Sequence, residues 1–106
     1  MPHYLFRASY SVQGIQGVMK EGAASRIAAV EAMAASVGGK ILCSYWAFGD
    51  DDFFTIGELP DNGAAMAIAA AVGSSGAAKV TTTVLLTAAE TDEALSRHAA
   101  YRAPGA

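Results

Sequence analysis

Apolar residues recur along this chain at two spacings, and each change of spacing marks the start of a new element. Residues 3–10, HYLFRASY, mix aromatic and aliphatic side chains over strand length and run into a segment containing Gly14 and Gly17, which predicts a first strand. Over residues 12–37 the apolar positions Val12, Ile15, Met19, Ile27, Val30, Met33 and Val37 fall near helical spacing. Three glycines interrupt this stretch, each costing a helix about 1 kcal/mol relative to alanine. A short helical turn, a break near Gly22 and a firm helix capped by Ser25 are therefore expected, with Gly38 and Gly39 as the stop. KILCSYWAF and DFFTIGEL then predict two strands joined by a glycine and aspartate hairpin. Pro60 and Asp61 open an alanine-rich helix through about Val72, GSSG forms a loop, and KVTTTVLL reads as a fourth strand. Thr87 and Glu90 make a capping box that starts a final helix toward Tyr101, followed by a frayed APGA tail.

This order predicts an α+β fold of the ferredoxin-like βαββαβ type, a four-stranded antiparallel sheet with helices on one face and a C-terminal helix. Residues 1–92 would form the domain and 93–106 the helix continuation and tail. The strands carry apolar residues on both alternating sets: Tyr4, Phe6 and Tyr10 against Leu5; Leu42, Trp46 and Phe48 against Ile41 and Tyr45; Phe54 and Ile56 against Phe53 and Leu59. A sheet with one wet face alternates more cleanly. The expectation is a homodimer closed by sheet packing, with two-fold symmetry and room for higher assembly, against the alternative that some strand aromatics are simply exposed.

Composition narrows the function classes. The chain has 106 residues, enough for one domain, and its hydrophobic fraction of 53% is largely alanine, so large core side chains concentrate in the strands. The seven basic residues are scattered and the net charge is −3, which gives no footprint for nucleic acid or an anionic membrane. The longest apolar run, AAMAIAAAVG, is about half of the ~20 residues a membrane span needs, and the N-terminal segment does not read as a signal peptide. Together with the single cysteine, Cys43, this predicts a cytoplasmic protein.

YLFRASY with SVQGIQGVMKEGAASR, then GGK, AFGDDDFFTIGELPDN and SGAAKVTTTVLLTAAE, resemble the GYD domain family of the dimeric α/β barrel superfamily, over roughly residues 2–92. The resemblance implies the fold of small monooxygenases and lactone isomerases but no single activity. One position departs from the family pattern Gly-x-Tyr-Asp: Gly49, Asp50, Asp51 and Asp52 put an aspartate where the tyrosine would stand. Any role of that tyrosine is then absent, or falls to Tyr10 or Tyr45.

The predicted topology brings the turn after Tyr10, the GDDD connection and GSSG to one end of the sheet, where α/β folds often place a pocket. The helix start at residues 11–14 would turn free amides to that end, suiting an anion. Three successive aspartates cannot all face one ion on an extended strand. Asp50 and Asp51 read as solvated turn residues, and Asp52 as the one with a structural or functional role, ordering the hairpin or pairing with Arg26. No second acidic cluster completes a magnesium or calcium site, and His3 and His98 form no metal motif.

His3, if it shares a face with Leu5, Arg7 and Ser9, would look into the barrel. There it and Arg7 could polarise a small organic acid or carbonyl compound with Trp46 stacked on it; alternatively both reach solvent or bond across the subunit interface. Cys43 reads as inert core on the same set as Ile41 and Tyr45. No glycine loop fits a nucleotide, so no bound cofactor is expected. The candidate pocket is thus His3, Arg7, Tyr10, Arg26, Trp46 and Asp52. Two readings stand: a homo-oligomer that binds a small organic molecule, with cofactor-free isomerase or monooxygenase-like chemistry in reach, or a non-catalytic assembly module.

Overall fold

The computed structural model describes all 106 residues. Eight elements follow in order: β1 His3–Tyr10, α1 Val12–Glu21, α2 Ala23–Ser36, β2 Lys40–Trp46, β3 Phe53–Glu58, α3 Asn62–Ser74, β4 Ala78–Leu85 and α4 Ala88–Leu95. The strands make one four-stranded sheet in the order β2-β3-β1-β4, with every neighbouring pair antiparallel. The helix-linked pairs β1/β2 and β3/β4 are each parallel and each split by one inserted strand, the layout the element order predicts.

Local chemistry sets the helix boundaries. Gly22 adopts a φ of 91°, a backbone that other residues avoid, and so divides α1 from α2 where the sequence predicts the break. The expected cap does not form: α2 begins at Ala23 with no side-chain cap bond, and Ser25 lies within its first turn. The Asp61 carboxylate accepts the Ala64 amide at 2.9 Å and starts α3, while the Tyr4 hydroxyl donates to Asn62 Oδ1 at 2.6 Å and anchors that helix over β1. The Thr87–Glu90 capping box forms, but α4 stops at Leu95 rather than near Tyr101 and buries none of its residues. Hydrogen bonds from Thr87 hold the Glu90 carboxyl below the usual value.

Both core clusters lie on the helix side of the sheet. Tyr4, Phe6 and Leu59 pack with Ala65 and Ile68 of α3, and Ala8 and Phe53 pack with Val30 of α2. A bulge in β2 adjusts the pattern. The register skips Leu42, so Ile41 and Trp46 share the helix side although they lie five positions apart, and Cys43 turns with Tyr45 to the opposite face. This corrects the expected grouping of Cys43 with Ile41.

The opposite face carries His3, Leu5, Arg7, Phe54, Ile56, Cys43, Tyr45, Thr83 and Leu85, and neither core cluster reaches it. The accessible surface is 6980 Å², against about 5,500 Å² for a folded monomer of this mass. The radius of gyration is 16.7 Å, where about 13 Å is usual for this length. No helix is long and apolar enough to cross a membrane.

Candidate functional site

A cavity of about 400 Å³ opens between the helix side of the sheet and the gap separating α1 and α2 from α3. Its floor is Phe6, Ala8, Phe53, Thr55 and Val80, and its walls include Gly17 and Val18 of α1, Val30 and Met33 of α2, and Ile68, Ala71 and Val72 of α3. Two glycines of α1 line the space. Gly14 seats the start of α1 directly on the chain before β4, where an added Cβ would lie 2.0 Å from the Ala77 carbonyl oxygen. Gly17, one turn on, has no atom within 4 Å of the corresponding position and leaves open volume.

The mouth is tied together by the three connections predicted to converge. Ser11 donates its hydroxyl to the Gly76 carbonyl at 2.9 Å and its amide to the Ala77 carbonyl at 2.9 Å, and its oxygen accepts the Gly14 amide at 3.1 Å. Asp52 accepts the Tyr10 amide at 2.8 Å while its own amide donates to the Ala8 carbonyl at 2.8 Å. The β1–β3 ladder is thereby extended into the β2–β3 connection by a side chain standing in for backbone.

Tyr10 occupies the mouth with its ring stacked on Trp46 at a centroid distance of 5.9 Å, and Trp46 in turn packs on Phe53 at 4.7 Å. Arg26 lines the same cavity and pairs with Glu21 across the Gly22 break at 3.5 Å. Burial raises the Tyr10 phenol above its ordinary pKa, the Arg26 guanidinium opposes this, and the Asp52 and Glu21 carboxylates reinforce it. Tyr10 therefore remains a neutral hydroxyl well into the alkaline range. Thr55, buried in the floor, is satisfied by the Ser44 hydroxyl at 2.9 Å and the Cys43 carbonyl at 3.0 Å.

The six residues singled out in the sequence divide between two places. Tyr10 and Arg26 line the cavity, with Asp52 and Trp46 directly behind Tyr10. His3 and Arg7 lie on the other face of the sheet, so Trp46 cannot stack on a molecule that they hold. His3 Nε2 and Lys40 Nζ flank Glu58 at 3.3 and 3.7 Å in a row across three strands. His3 Nδ1, Arg7 Nε and Trp46 Nε1 are buried without a hydrogen-bond partner in the chain. Arg26 takes Glu21 as its ion-pair partner, and the Asp52 carboxylate accepts the Tyr10 backbone amide instead. No three His, Cys, Asp or Glu side chains cluster as metal ligands do.

A family model described as GYD domain matches residues 4–95 of the chain. The chain belongs to the GYD domain family. No curated protein and no solved structure matches it. In this GYD domain Asp51 stands half-buried in the connection between β2 and β3, and Tyr10 supplies the only phenol at the cavity. Tyr45 projects from the edge strand on the open face and is 69% exposed.

Sequence reading missed Gln13, Gly17 and Glu21 as cavity residues. The available signal was the pair Gly14 and Gly17: glycines inside a helical pattern that serve no turn leave room for something else.

Proposed function

We propose that this GYD domain is a homodimer whose subunits each bind a small organic molecule in the cleft beneath the helices, without a resident cofactor. The observation that carries the reading is the cleft itself, about 400 Å³ in volume with 14 hydrophobic residues among its 21 lining ones. That size lies within the ~300–1,000 Å³ range of small-molecule sites, and apolar walls with few polar groups are their usual character. An empty apolar space of this size would be a standing loss of packing, so a fitted occupant stabilises the fold as well as binding to it.

Chemistry in the cleft rests on Tyr10, a neutral phenol able to donate a hydrogen bond to a carbonyl or share a proton with a hydroxyl. Cofactor-free isomerisation or oxygenation of a bound substrate is the chemistry that such a site would assist. Dimerisation is supported by the open sheet face. Leu5, Phe54, Ile56 and Leu85 stand there half-buried, outside both core clusters.

The test is calorimetric titration of 2-naphthol into the wild type and Gly17→Leu. Gly17 lines the cavity, and a Cβ there meets no neighbouring atom, so the leucine is chosen to fill the space. Saturable binding to the wild type and its loss in the folded variant are expected. Equal binding by both would place the ligand elsewhere and favour the assembly reading, in which the polar connections serve subunit contacts alone.

A further inference from the structure

We propose that the cleft selects an uncharged, largely apolar molecule carrying a single hydroxyl or carbonyl group, seated with that group against the Tyr10 hydroxyl. This rests on the cleft being a binding site and names the class of its occupant.

The charge arrangement carries the argument. Glu21 and Arg26 are the only charged residues that line the cleft, and they are already paired with each other at 3.5 Å. Asp52 stands just behind, held against the Tyr10 amide. One guanidinium is thus set against two carboxylates around the Tyr10 ring. An organic anion entering the cleft would have to displace Glu21 from Arg26 and would still meet Asp52. The lone arginine, read without its neighbours, suggests an acid as ligand, and its surroundings remove that advantage.

A cation fares no better. Both carboxylates sit at the mouth, Glu21 about two-fifths exposed, so their attraction is screened by water. Deeper in, the walls are Val30, Met33, Ile68 and Val72, where an ammonium group would lose its hydration with nothing in return. The remaining polar groups are few. Thr55 donates to the Cys43 carbonyl and Ser75 to the Val72 carbonyl, so both hydroxyl protons are committed within the chain. The Tyr10 hydroxyl, to which the Arg26 guanidinium donates, and the Gln13 amide at the start of α1 are left as the uncharged hydrogen-bonding groups lining the space, and burial keeps the phenol neutral. Uncharged polar contacts gathered on α1 and the end of β1, in an otherwise apolar cleft, match a ligand with one uncharged polar group.

Three probes of one shape test the selection: 2-naphthol, 2-naphthoate and 2-naphthylmethylammonium, titrated calorimetrically at neutral pH. Naphthol is expected to bind at least about tenfold more tightly than either ion. Tyr10→Phe should weaken naphthol by about threefold to tenfold, the loss of one hydrogen bond. Glu21→Gln frees Arg26 and should improve naphthoate relative to naphthol by about fivefold or more. Tightest binding of naphthoate or of the ammonium probe to the wild type overturns the charge selection and leaves the cleft as a site. Failure of all three to bind, or binding that Gly17→Leu leaves untouched, overturns the cleft reading itself.

Discussion

The backbone amide of Tyr10 donates to the Asp52 carboxylate at 2.8 Å, joining positions 42 residues apart. Tyr10 is the last residue of β1 and Asp52 the last before β3, so this bond closes the end of the central strand pair and fixes the ring that guards the cleft. The aspartate run therefore contains one structural carboxylate, and Asp50 and Asp51 form the outer part of the connection.

Asp52→Ala should lower stability by about 1.5 kcal/mol, since a half-buried amide loses a charged acceptor. Asp52→Asn keeps an oxygen acceptor and should cost less than about 1 kcal/mol. Urea unfolding measures both. Trp46 is the single tryptophan and stacks on Tyr10, so its fluorescence should shift in the alanine variant and stay close to wild type in the asparagine one.

Gly14 and Gly17 sit one turn apart on α1 and should respond in opposite senses to alanine. At Gly14 the new Cβ would collide with the Ala77 backbone, 2.0 Å from its oxygen, and the forced shift should cost about 2–3 kcal/mol. At Gly17 nothing lies within 4 Å, and the gain in helix propensity should add about 0.5–1 kcal/mol. Thermal unfolding of the two variants would show midpoints on either side of the wild type. A matching loss at both positions would mean that α1 is not seated as described.

Tyr10 gives the pH dependence a definite sign. Its folded pKa is raised above the ordinary 10.0 by burial, so the folded state holds the proton more tightly than the unfolded chain does. The stability this contributes is complete below pH 10.0 and is lost as pH rises from there through the folded value. The difference between wild type and Tyr10→Phe in tyrosinate absorbance should show a step with its midpoint above 10.0. The alkaline fall in the wild type's unfolding free energy should be shallower in Tyr10→Phe. A step at or below 10.0 would mean that the ring is solvated and the mouth more open than described.

Charge placed on the open sheet face should disrupt the proposed dimer. Ile56 lies at the middle of β3 in register with Leu5 and Cys43, outside both core clusters. Ile56→Glu should therefore halve the mass seen by light scattering while the far-ultraviolet spectrum keeps its helix and sheet signal. Retention of the dimer would move the interface to another surface.

Much of this architecture was legible in the sequence because local signals and global pattern agree. Gly22 and the Thr87–Glu90 box act where they stand, and the split strand order follows from the alternation of elements. The β2 bulge was not legible. A two-residue period assigns Ile41 and Trp46 to opposite faces, and only the pairing with β3, which skips Leu42, brings them together. The cleft was only half legible. Tyr10, Arg26 and Asp52 were identified, but His3 and Arg7 were placed with Trp46, which faces the other way. Volume itself leaves no residue type to read, except through glycines such as Gly17 whose space goes unfilled.

The most direct test of the whole account is native mass spectrometry of the protein in the presence of 2-naphthol, because one spectrum reports both subunit number and ligand uptake. The account predicts a dimer that takes up one naphthol per subunit, and a Gly17→Leu dimer that takes up none. A monomer throughout the working concentration range, or equal uptake by Gly17→Leu, would contradict it.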